Sequence, residues 1–254
     1  MRRSLTFRLK AAIRPLRAAA GRFVISPEPP TSTIIYKAAE IVSSEQIQGD
    51  YLEFGVSRGS TLIQAFHQIR RSYLDRAADL SGIHLPSQHQ SVRALWDGMR
   101  FFAFDSFQGL PELTGPDLDT RDFADGKFAF RQEDFLSRAG RNGVDLSKVV
   151  TIPGWFADTC CDETISRHDM RAAAFVHIDC DLYESTKVVL KFIEPLLVDG
   201  TILIFDDWYA FRGNPTLGEQ RAFHEWAPTQ SHLTFSEFQK EGPWRNSFIV
   251  NARR

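Results

Sequence analysis

"AAFVHIDCDLYEST", residues 173–186, decides how this chain is read. Ala173–Ile178 is apolar apart from His177 and reads as a short buried strand. Asp179, Cys180 and Asp181 follow at once, and helical spacing starts near Tyr183 and runs to about Leu197. A strand passing through an acidic turn into a helix is half of a parallel α/β unit. Two carboxylates one residue apart at the mouth of a buried strand repel each other, so the turn needs something to hold.

The same pattern recurs on both sides of this stretch. "YLEFGV" is a short strand entering a glycine-bearing turn, "GVSRGST", with a helix expected from Ser60 or Thr61 to about Arg70. "RFFAFDSF" ends on Asp105, "KVVTIPGWF" runs into a turn, and "TILIFDDW" ends on Asp206 and Asp207 after a turn at Asp199–Gly200. Helical spacing also marks Thr31–Val42, Gln132–Ala139 and Leu217–Trp226. "HLTFSEF" and "WRNSFIV" alternate as an antiparallel pair at the end of the chain. The fold class is therefore α/β, a mostly parallel sheet with an antiparallel C-terminal edge. Residues 72–98 read as a polar insertion with a short helix near Val92–Met99, and the turn-rich stretch 111–127 as a lid loop.

Composition narrows the function. The 254 residues, 43% of them hydrophobic, suit one domain at 31–254 preceded by a basic arm at 1–30. A formal net charge of −2 argues against a general nucleic-acid binder. The arm's first 22 residues carry Arg2, Arg3, Arg8, Lys10, Arg14, Arg17 and Arg22 without an acid, and Arg14 and Arg17 interrupt its apolar stretches. It reads as an amphipathic segment that packs on a neighbouring subunit or frays in solvent, not a signal peptide, and no run approaches the ~20 apolar residues of a membrane span. Cys160, Cys161 and Cys180 form no disulfide framework and no zinc spacing, which points to free thiols in a reducing, cytoplasmic setting.

Ligands of open parallel sheets bind beyond the carboxyl ends of the strands, so Glu53, Asp105, Asp179, Asp181, Asp206 and Asp207 are expected on one rim. In "EFGVSRGST", Gly55 and Gly59 let the backbone approach a ligand, and Glu53 suits the amino group of an amino acid or is simply a solvated turn residue. Asp105 is placed to accept from a ribose diol, or to cap a helix. Trp155 and Phe156 either stack on an adenine or belong to the core. His177, one pleat back, reads as a satisfied core or rim histidine. Acids crowded on successive strand ends call for a cation, and an all-oxygen set selects Mg²⁺ or a similar hard ion over zinc.

"YLEFGVSRGST", "FAFDSFQGLPE", "PGWFADT", "HIDCDLYEST" and "ILIFDDW", in this order, resemble the macrocin O-methyltransferase (TylF-type) family over about Thr31–Trp226. The resemblance implies a class I, Rossmann-like fold dependent on S-adenosylmethionine (SAM), methylating a hydroxyl of a sugar or natural-product acceptor, in a homo-oligomer. It puts Glu53, Gly55, Ser57, Gly59 and Ser60 on the methionine part and Asp105 and Ser106 on the ribose. Asp179, Asp206 and Asp207 would hold Mg²⁺, and Asp181 would be the general base. Two rivals stand beside it: a metal-dependent glycosyltransferase using Asp-x-Asp on a nucleotide sugar, and a non-catalytic SAM-binding scaffold. The first leaves Glu53-Phe54-Gly55 and Asp206-Asp207 without a task.

Overall fold

A computed structural model describes residues 32–82, 85–119 and 129–253. The basic arm, His84 and the end of the 111–127 loop lie outside the described residues. Seven strands form one sheet: β1 (Asp50–Phe54), β2 (Phe101–Asp105), β3 (Val149–Pro153), β4 (Ala173–Ile178), β5 (Leu197–Phe205), β6 (Leu233–Glu241) and β7 (Arg245–Ala252). Their order is β3-β2-β1-β4-β5-β7-β6, parallel through β5 and antiparallel at β7 and β6. Among the described residues, the α-helices of six residues or more are α1 (Ile34–Ser44), α2 (Ser60–Gly82), α3 (Pro86–Gly98), α4 (Gln132–Arg141), α5 (Asp162–Arg167), α6 (Tyr183–Ile193) and α7 (Gly218–Trp226).

Both faces of the sheet are buried, as parallel strands require. Alternate residues serve different layers, because successive side chains of a strand point to opposite faces. Leu52, Phe54, Val176, Ile178, Leu203 and Phe205 join the core formed with Val189, Leu190 and Phe192 of α6 and Phe223 of α7. Tyr51 and Phe101 turn the other way, and Phe101 meets Phe66 of α2 and Trp96 of α3, with ring centroids 5.2 and 6.2 Å away.

Three boundaries differ from the sequence reading. α2 runs to Gly82, not Arg70, because Tyr73, Ala77 and Leu80 extend the buried series Leu62, Phe66, Ile69 at spacings of three and four. Its exposed face is polar enough to disguise the segment. α3 starts at Pro86, a residue suited to a first helical turn, so the described residues of 72–98 are helical except Leu85. α6 stops at Ile193 and tightens into a 3₁₀ turn at Glu194–Leu196, where Pro195 ends the α-helical ladder. The expected turn at Asp199–Gly200 sits inside β5, where Gly200 (φ +95°) accompanies a register shift against β4.

The sheet delivers its strand ends to a common level. Amide N–H groups just past each strand bond the neighbouring strand: Gly55 to the Phe104 carbonyl, Asp179 to Phe54, and Asp206 to Ile178, all at 2.9 Å. Gly55 (φ +90°) is obligatory here, because a Cβ would lie 2.0 Å from the Asp179 carbonyl oxygen.

One acid is sealed beneath this rim. Glu53 is fully buried on β1 and accepts the Tyr51 hydroxyl. Burial raises its carboxyl to about 7, against the opposing pull of His177 and of the Tyr51 hydrogen bond. An exposed carboxyl ionises near 4.5, so between these values the folded chain keeps a proton that the unfolded chain releases. Stability therefore falls as pH rises through this window, by on the order of 3 kcal/mol, and stays reduced above it. Glu53→Gln removes the penalty. Its melting temperature relative to wild type should rise from about pH 5 to about pH 8 in thermal melts, and a constant difference refutes the assignment.

Candidate active site

A cavity of about 530 Å³ opens over the carboxyl ends of β1, β2 and β4. One wall is Gly55, Ser57, Asp105 and Ser106, continued by Gly154, Trp155 and Phe156 after β3. Asp179, Cys180 and Asp181 form the floor, and the loop Gly109–Asp117 faces Glu184, Ser185 and Val188 of α6.

Asp105 builds much of the first wall. Its Oδ2 accepts the Val56 and Ser57 N–H groups, each at 2.8 Å, and its Oδ1 accepts Phe107 N–H at 2.7 Å. The carboxylate thus fixes the glycine turn while keeping an edge on the cavity. Ser57 takes a left-handed conformation (φ +42°) in that turn. Ser106 is held through its hydroxyl, which donates to the Gly109 carbonyl. Trp155 faces the cavity, and Phe156 also packs edge-on against Phe54, with centroids 5.9 Å apart.

Three residues of the glycine motif lie outside the lining. Glu53 points into the opposite layer of the sheet. Gly59 packs on Phe135, which a Cβ would meet at 2.5 Å, and Ser60 accepts from Arg138 Nη2 at 3.2 Å.

The acids after β4 and β5 fall into two overlapping groups. Asp179, Asp181 and Asp207 bring one oxygen each within 4.8 Å of the others, and a ring nitrogen of His177 lies equally close to one oxygen each of Asp179 and Asp206. The pleat explains the division, since consecutive Asp206 and Asp207 leave β5 on opposite sides. Asp206 Oδ1 takes Arg245 Nε from β7 and lies 3.3 Å from His177 Nε2. Asp207 turns to Asp181, and the two bring oxygens within 4.8 Å of each other. Asp179 belongs to both groups and joins them.

Electrostatics follow that geometry. Burial first, then Asp206, Asp181 and Asp207, push the Asp179 carboxyl well above the usual range. Burial and Asp206 also raise Asp207. Burial works to raise Asp206 as well, but His177 and the Arg245 guanidinium outweigh it and hold that carboxyl below its ordinary value. An all-oxygen set with this excess of negative charge fits a hard divalent cation. Asp181, in the cavity floor, adopts φ +60°, a strained left-handed conformation.

Two residues that motif reading passed over complete the site. Asp117 is buried and accepts Tyr183 N–H at 2.9 Å and Glu184 N–H at 3.1 Å, capping α6 from the far side of the cavity. Glu219, the second residue of α7, reaches under the acids. The helix-start acid at 219 was visible in the sequence, but its target was not.

Comparison with known proteins agrees with this architecture. The family described as macrocin-O-methyltransferase (TylF) matches residues 85–226. The 8-demethyl-8-(2,3-dimethoxy-α-L-rhamnosyl)-tetracenomycin-C 4′-O-methyltransferase of Streptomyces olivaceus is 30% identical, over 66% of this chain and 56% of that protein. The demethyldecarbamoylnovobiocin O-methyltransferase of Streptomyces niveus is 31% identical, over 68% of this chain and 58% of its own length. The chain thus spans less than three fifths of the curated relatives it matches. The O-methyltransferase NovP superposes with a TM-score of 0.60 at 21% identity, covering 86% of this chain and 78% of that one. CalS11, a calicheamicin methyltransferase, gives 0.59 at 22% identity, covering 85% and 76%. These structures share the class I methyltransferase fold, and with the profile match over more than half its length the chain belongs to the macrocin O-methyltransferase (TylF) family.

Proposed function

We propose that the chain is a SAM-dependent, Mg²⁺-dependent O-methyltransferase acting on a hydroxyl of a sugar or another vicinal-diol acceptor. One observation carries this reading: a single cavity joins a nucleoside-type wall at Gly55, Asp105 and Trp155 to the acidic floor at Asp179 and Asp181. The two relatives are named for methylating a rhamnosylated tetracenomycin and a novobiocin precursor, which favours a glycosylated natural product as acceptor.

Under this reading Gly55 and Ser57 approach the methionine part of the donor, and Asp105 and Ser106 meet the ribose. Trp155 and Phe156 flank the adenine. Glu53, Gly59 and Ser60 shape the turn from behind it. Asp179 and Asp207, which with Asp181 bring their oxygens within 4.8 Å of one another, would hold the ion, while Asp206, expected beside them, is turned to Arg245 and His177. SAM supplies a methyl already activated on sulfonium, and Mg²⁺ supplies Lewis acidity that lowers the pKa of a neighbouring alcohol. Asp181, in the cavity floor, accepts the proton that the attacking hydroxyl loses. Holding nucleophile and methyl in line is the remaining task, and the cavity walls perform it.

Calorimetry should show SAM or its demethylated product binding to the metal-free protein. Binding of a nucleotide sugar in place of SAM would overturn the reading in favour of glycosyl transfer. With a labelled methyl donor and a panel of glycosylated aglycones, Asp181→Asn should lower turnover at least ~100-fold while donor affinity stays within about twofold. Unchanged turnover removes Asp181 as the base. Turnover should also stop on chelation and return with Mg²⁺, and activity that persists in chelator removes the metal.

A further inference from the structure

Glu219 occupies a position that stability alone does not explain. Its side chain is 1% exposed, directly behind Asp179, Asp181 and Asp207, where another carboxylate adds repulsion. Its two oxygens bond two different loops. Oε1 accepts the Cys180 N–H at 3.4 Å, inside the Asp-Cys-Asp turn, and Oε2 accepts the Asp207 N–H at 3.1 Å, at the end of β5. The next residue of α7 repeats the device, since Gln220 Nε2 donates to the Trp208 carbonyl at 2.5 Å.

This task has narrow chemical requirements. Bridging two backbone N–H donors takes two acceptor oxygens and no donor at that end of the side chain. A carboxylate meets that demand, whereas an amide would set its NH₂ against one of the donors. Aspartate has the charge but is one methylene shorter and cannot span both loops from the same Cα.

The geometry points to Glu219 as a positioning residue that fixes the separation between the Asp179–Asp181 turn and Asp207, and so sets divalent-cation affinity. The inference rests on the metal reading above. It adds that the aspartates do not form the site unaided: a fourth acid, belonging to α7, holds their two loops in register through the backbone.

The test is Mn²⁺ titration by electron paramagnetic resonance on the full chain, beside calorimetric titration of SAM in chelator. Glu219→Gln and Glu219→Asp should each weaken Mn²⁺ binding at least ~10-fold, the range for residues that orient metal ligands, with SAM affinity within about twofold of wild type. Glu219→Asp binding Mn²⁺ like wild type would reduce the role to charge alone and overturn the proposal. Glu219→Gln binding like wild type would overturn it too. Equal loss of SAM affinity in both variants would make Glu219 a general folding residue and also count against it. Wild-type protein that binds SAM but no Mn²⁺ would sink the metal reading itself, and the proposal with it.

Discussion

Mutual repulsion among carboxylates is the constraint around which this molecule is arranged. A parallel sheet carries Asp179, Asp206 and Asp207 to one level, and the turn after β4 adds Asp181. In a buried setting such charges cost several kcal/mol each unless paired, protonated or neutralised by a cation. The fold answers in part on its own. Arg245 and His177 compensate Asp206 from the far face of the sheet, and backbone amides take up Asp105, Asp117 and Glu219. The remaining excess falls on Asp179, Asp181 and Asp207, of which Asp179 and Asp181 line the cavity.

The two halves of the cavity are built by different means. The donor-side wall is backbone, a glycine turn pinned by Asp105, and depends on close approach. The acidic side is made of side chains whose loops are braced from outside the sheet, by Asp117 in front and Glu219 behind. A rigid wall suits a ligand whose nucleoside and amino-acid parts do not change. Braced loops suit the place where a proton and an alcohol must be handled within tenths of an ångström.

Much of this was legible in the sequence, for a physical reason. Apolar runs ending in Asp mark parallel strand ends directly, because strands buried on both faces show no alternation to confuse with anything else. β4 was read to the residue, and so were the starts of α4 and α6. What stayed hidden depends on partners distant in the chain. The division of Asp206 from Asp207 needs the pleat of β5 and an arginine 39 residues away on β7. The burial of Glu53 needs the register that sets it beside His177. Asp117 looked like one turn residue among many, and only the packed structure shows it capping a helix 66 residues later.

The contact between Gly55 and the Asp179 carbonyl has a consequence for traffic through the site. With no room for even a methyl group there, the donor-side turn and the acidic turn are fused into one rigid jaw. Molecules cannot enter by spreading that seam. The opposite wall, Leu110–Asp117, is tied to α6 through the Asp117 carboxylate, which accepts two amides at the start of that helix.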